Sequence, residues 1–74
     1  MDKATKDDIL NRFKFHPATE VTGPLHDKIR LDAQYMAEQI LTLVPPGRHQ
    51  ACALTALQEM MMWCNAGIAI DIKA

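Results

Sequence analysis

From Leu25 onward the apolar residues recur at intervals of three and four: Leu25, Ile29, Ala33, Met36, Ala37, Ile40, Leu41 and Val44. That spacing lays one apolar stripe along an α-helix and predicts a helix of about 20 residues, ~30 Å long. Leu31 and Tyr35 fall off the stripe, Leu31 nearer the opposite face. Upstream, Val21-Thr22-Gly23-Pro24 reads as loop, with Thr22 or Gly23 capping a helix whose first residue is Pro24 or Leu25. Pro45-Pro46-Gly47 stops the helix and makes a tight connector. A second long helix is predicted from about Arg48 to Asp71.

This second helix is apolar on two stripes. Leu54, Leu57, Met61, Cys64 and Ile68 form one; Ala53, Ala56, Met60, Trp63, Gly67 and Ile70 form the other. A single neighbouring helix covers one stripe only. The other, left in water, would be an aggregation-prone patch. The small residues Ala53, Ala56, Ala66 and Gly67 permit close helix approach. The pattern therefore predicts an all-α antiparallel two-helix hairpin over residues 12–74, with its core completed by copies of itself. Residues 1–11 read as an N-terminal arm or short helix, with Asp7-Asp8 placed as a helix start.

The 74-residue length sharpens the case for self-association. A chain this short hides only roughly 60% of its unfolded surface, so its own core is marginal. At 49% hydrophobic and 23% charged residues it is too apolar for a disordered chain. A formal charge of −1, from 8 Lys+Arg against 9 Asp+Glu, disfavours duplex nucleic acid as partner. The charged Met1–Asn11 stretch has no apolar region of a signal peptide. Ala51–Ile70 is the longest apolar run, but Gln58 and Glu59 would lie near a bilayer midplane, where an acid costs ~2.5–3.5 kcal/mol. A soluble, cytoplasmic protein without membrane contact is expected. Cys52 and Cys64 would stand about 18 Å apart on one helix, beyond the ~7 Å reach of a disulfide, and read as free thiols.

His16, His26 and His49 share no helical spacing with one another and no zinc-type spacing with a cysteine, so no metal is expected. No nucleophile elbow, P-loop or dinucleotide fingerprint occurs. Neither catalysis nor a cofactor is expected. Met60-Met61-Met62-Trp63 reads as a helix surrounded by partners, with the Trp63 indole needing an acceptor. The segment Arg12-Phe13-Lys14-Phe15-His16-Pro17 is different. Proline directs His16 out of the helical region, so the segment is expected to be extended, with Phe13 and Phe15 on one face. Two aromatics among cations suit a nucleobase and its phosphate, because stacking contributes ~1–3 kcal/mol per base and arginine grips phosphate with two donors. The plainer reading is an apolar edge packed on the hairpin. On the first helix, Asp27, Lys28, Arg30 and Asp32 nearly balance and read as a solvated face.

In order, these segments resemble the phage anti-CBASS cyclic-nucleotide sponges, whose helical-hairpin domain is shared with an anti-Thoeris sponge family. Arg12 to Pro17 is similar to the family's "RF-x-aromatic-HP" opening, and Lys28-Ile29-Arg30 to its "x-IR". Arg48 and Ala53-Leu54-Thr55-x-Leu57-x-Glu59 resemble its second-helix opening, and Met62-Trp63-Cys64-Asn65-Ala66-Gly67-Ile68-Ala69 its "MWANAxIA" close. The resemblance covers residues 12–70. It implies a compact homohexamer in the host cytoplasm that sequesters cyclic dinucleotides such as cGAMP without cleaving them, so that a CBASS effector stays off. In the family's pocket between subunits an aromatic stacks on a base and a basic residue contacts phosphate; these positions fall on Phe15 and Arg30, with His16 and Pro17 shaping the wall. The family's aromatic is often tyrosine, and Phe15 lacks that hydroxyl. Arg30 stands where lysine also occurs, and adds bidentate geometry. The arginine that some members use for cyclic trinucleotides is replaced by Ile70, which argues against that second site. The alternatives are a sponge for NAD-derived cyclic ADP-ribose signals, or a helical oligomeric adaptor with no nucleotide ligand.

Overall fold

In a computed structural model, which describes residues 2–72, the described residues form three helices and no strand. They are α1 (Lys3–Asn11), α2 (Thr22–Leu43) and α3 (Arg48–Asp71). The all-helical hairpin agrees with the periodicity, and α3 has the predicted bounds. Met1, at the head of the predicted arm, and Lys73 and Ala74, at the end of the predicted 12–74 domain, lie outside the described residues.

The arm is a helix, and it begins earlier than Asp7-Asp8. Asp2 is its cap: the Thr5 backbone N–H donates to Asp2 Oδ1 at 2.8 Å. That bond holds the Asp2 carboxyl below the usual carboxylate range. The cap is present at neutral pH and is lost as pH falls through the lowered titration range.

The start of α2 also differs from expectation. Neither Thr22 nor Gly23 is the cap. The Gly23 N–H already donates to Thr19 O at 2.9 Å. Thr19 Oγ1 accepts from the Thr22 N–H at 3.0 Å, and Thr22 Oγ1 accepts from the Thr19 N–H at 2.8 Å. This reciprocal Thr19–Thr22 pair closes the turn just ahead of the helix, whose N-cap residue, Val21, receives no side-chain cap bond. The pairing explains why Thr22 is buried.

At the other end the Val44 N–H closes the last turn of α2 on Ile40 O, and Gln50 Nε2 donates to Val44 O at 3.0 Å. Gly47 has φ 148° and ψ −166°. That region is essentially restricted to glycine, and a side chain there costs ~1–3 kcal/mol of backbone strain. A Cβ at Gly47 would meet nothing within 4 Å, so strain alone operates. Gly47→Ala is therefore expected to lower the thermal midpoint clearly; an unchanged midpoint would show that the connector relaxes freely.

α2 and α3 pack side by side. The seam takes His26, Ile29, Ala33, Ala37 and Ile40 from α2, and Leu54, Leu57, Met61, Cys64 and Ile68 from α3, the first predicted stripe. One polar link crosses it: His26 Nδ1–H donates to Asn65 Oδ1 at 2.8 Å. α1 buries none of its residues.

The hairpin is a single layer. The chain measures 49 × 31 × 13 Å, and 13 Å is little more than one helix diameter of ~10–12 Å. Its radius of gyration is 15.9 Å, against ~11 Å for a compact chain of this length. It exposes 6062 Å², against ~4,600 Å² for a compact monomer of its mass. Among the described residues Ala33 is the one buried apolar residue, and no large side chain is fully enclosed. Met60 and Trp63 of the second stripe stand 45% and 71% exposed. Domains normally need two packed layers around a core. Here the second layer is not supplied by the same chain.

Candidate ligand-binding site

The α1–α2 connection departs from the extended reading at its start. Arg12, Phe13 and Lys14 wind off the end of α1, their N–H groups donating to Ile9, Leu10 and Asn11 carbonyls at 3.2, 3.1 and 3.3 Å. The chain extends only from Phe15. The simple alternation that would set Phe13 and Phe15 on one strand face is therefore absent. The cause is local: His16 Nε2–H reaches back to Asn11 O at 2.8 Å and ties the loop to the helix end. Neither ring packs on the hairpin; Phe13 is 84% exposed and Phe15 is 88% exposed.

His16 and Pro17 line a cleft of about 990 Å³ between α1, the loop and the end of α3. That is the upper end of the range of small-molecule sites, ~300–1,000 Å³. Lys3, Asp7 and Asn11 face it from α1, Lys14 from the loop, and Ala69 and Ile70 from α3. Its cations are matched by its acids in number, Lys3 and Lys14 against Asp7 and Asp8. One chain alone thus offers an anionic ligand little net attraction there.

Arg30 lies elsewhere. It borders a groove of about 330 Å³ between α2 and α3, whose remaining lining includes Ala33, Ala37, Leu54, Leu57 and Met61. Its guanidinium is not free: Nη2 donates to Asp27 Oδ1 at 2.7 Å. Lys28 pairs likewise with Asp32 at 3.0 Å, and Arg12 with Asp8 at 3.0 Å. Of the four residues singled out from sequence, His16 and Pro17 share the cleft, Arg30 borders the groove, and Phe15 lines neither. A site using all four must be completed from outside the single chain.

The family model of the Acb2/Tad1 hairpin domain matches residues 5–69, nearly the whole chain. The chain belongs to the Acb2/Tad1 hairpin-domain family. Membership gives it a phage anti-defence sponge role in the anti-CBASS/anti-Thoeris lineage and implies cyclic nucleotide signals as partners. No curated protein and no solved structure matches it. The match begins within α1, so the hairpin domain of the Acb2/Tad1 family takes in most of the N-terminal helix as well as α2 and α3. No helix among the described residues is long and apolar enough to cross a membrane. Among them no group of three or more His, Cys, Asp or Glu is placed to hold a metal ion.

Two structural roles escaped the sequence reading. Thr19 bonds reciprocally with Thr22 ahead of α2, and the Thr-x-x-Thr spacing was its available signal. Asn65, within the closing motif, is the interhelical partner of His26; no local pattern in sequence points to a pairing 39 residues apart.

Proposed function

We propose that this chain assembles, as a homohexamer, into a sponge that holds cyclic dinucleotides between copies and releases none as cleaved product. Phe15 stacks on a base. Arg30 binds a phosphate. His16 and Pro17 form the adjoining wall, and Ile70 in place of an arginine weighs against a separate trinucleotide site. The reading is carried by Phe15: a fully presented aromatic ring, next to a loop pinned by His16, in a member of a sponge family. A ring this exposed is available to a partner, and its place in the family's aromatic position is what makes a base the partner proposed. Capture without chemistry suits the site residues, because a loop carrying Phe13, Phe15, Arg12 and Lys14 offers no activated nucleophile. Signal is removed by mass action, one molecule per pocket, and the CBASS effector stays unliganded. The host cytoplasm is where such a sponge would act.

Isothermal titration with a panel of cyclic dinucleotides tests this. Saturable binding at a fixed ratio of ligand to chain is expected, with unchanged ligand recovered afterwards. Arg30→Ala is expected to weaken it at least tenfold while the assembly mass is kept, as loss of a charge-assisted phosphate contact requires. A well-folded oligomer that binds no member of the panel would defeat the reading.

A second reading has one specific support, the Tad1 half of the family description. A cyclic ADP-ribose-type signal also offers a base and phosphates. Competition between the two ligand types on one preparation separates them.

A further inference from the structure

We propose that Asp27 is a charge filter on Arg30, lowering the advantage that a terminal phosphomonoester would otherwise hold over a phosphodiester at the candidate nucleotide site. This rests on the ligand reading above. Asp27 lies three residues before Arg30 on α2, and their 2.7 Å contact is shorter than the Arg12–Asp8 and Lys28–Asp32 contacts. Both side chains are more than half exposed, so a ligand reaches the pair as it stands. A guanidinium carries five N–H donors, and the structure commits Nη2 to Asp27. Donors remain for an incoming phosphate. Any phosphate that reaches them therefore sits within a few ångströms of the Asp27 carboxylate.

Repulsion from that carboxylate scales with the charge of the phosphate. A phosphodiester within a ring carries one negative charge. A terminal phosphomonoester carries close to two at pH 7. At ~7 Å, with an effective dielectric between that of water and about half of it, the additional charge weakens binding about three- to eightfold. A cyclic dinucleotide has no terminal phosphate. Nucleoside mono-, di- and triphosphates, which vastly outnumber a signal molecule, end in one. An unpaired arginine would hold those dianions best; pairing with Asp27 takes back part of that advantage. The neighbouring Lys28–Asp32 pair provides a control with the same change of net charge.

The test compares wild type, Asp27→Asn and Asp32→Asn by isothermal titration at one salt concentration. The probes are a cyclic dinucleotide and the linear dinucleotide of the same bases bearing a 5′-phosphate. Asparagine keeps an oxygen acceptor for Arg30 and removes the charge. Asp27→Asn is expected to tighten the linear form about three- to eightfold more than the ring. Asp32→Asn is expected to leave the linear-to-cyclic ratio at its wild-type value. An unchanged ratio in Asp27→Asn overturns the filter, as does a linear form that stays unbound by that variant. An equal shift in Asp32→Asn also overturns it, because net charge then explains the effect. Wild type that binds the ring with no ratio change sinks the filter alone; wild type that binds no ring sinks the site reading and the filter with it.

Discussion

Trp63→Ala is expected to disassemble the protein. In the single chain the Trp63 side chain is 71% exposed, and its polar contact is a long 3.5 Å bond from Nε1 to Glu59 on the same helix. Its removal therefore costs the isolated hairpin almost nothing. Trp63 nonetheless shares the open stripe of α3 with Met60 and Gly67, where a second copy would seat. A tryptophan buried in such an interface is worth ~3–5 kcal/mol against alanine. That loss shifts an association equilibrium by at least two orders of magnitude, and a hairpin without a partner has no large buried side chain to keep it folded. Scattering or mass photometry at micromolar concentration should show the variant at monomer mass, and circular dichroism should show reduced helix content. Wild type should melt at a temperature that rises with its concentration. A Trp63→Ala protein of wild-type mass and melting temperature would mean that the stripe faces water in the native assembly.

Phe15→Ala is expected to leave the assembly intact and to cost most of the ligand affinity. The ring is 88% exposed, so it contributes no packing to its own chain. Stacking on a base contributes ~1–3 kcal/mol, which corresponds to a binding loss of about five- to 150-fold per base. Phe15→Tyr keeps the π-face and should bind as well as wild type or better, because the family's usual aromatic carries a hydroxyl. Titration of the three proteins, with mass measured alongside, checks both statements. Equal affinity for Phe15→Ala would assign the ring to the interface between copies or to solvent. A drop in assembly mass would make it a packing residue.

The hairpin was legible because its signal is periodic and long. Ile29, Ala33 and Ala37 recur every four residues against Leu54, Leu57 and Met61 at intervals of three and four, and a Pro-Pro-Gly connector leaves one way to join the two. The surplus stripe on α3 was legible for the same reason, and Met60 and Trp63 stand open as their spacing requires. Events decided by one hydrogen bond were not. Asp2 outcompetes Asp7-Asp8 as cap because an N-cap acts through its own first-turn amide, Thr5, and acidic residues further along do not. Proline-based reasoning gave His16 an extended backbone but could not foresee its imidazole reaching Asn11, which keeps Arg12–Lys14 wound on α1. The candidate site was legible as chemistry and not as geometry. Phe15 and Arg30 were identifiable as types of residue, whereas their separation between loop and groove follows from tertiary packing, as does the hold of Asp27 on Arg30.

The 13 Å thickness of the chain carries a consequence for dose. On the proposed assembly, a ribbon with no interior would become a protein only in company, so its capacity should not grow in step with translation. Below a threshold of expression, solitary copies would be fodder for proteases. Above it, whole clusters of pockets would come into being together, giving an infecting phage an abrupt rather than graded onset of protection.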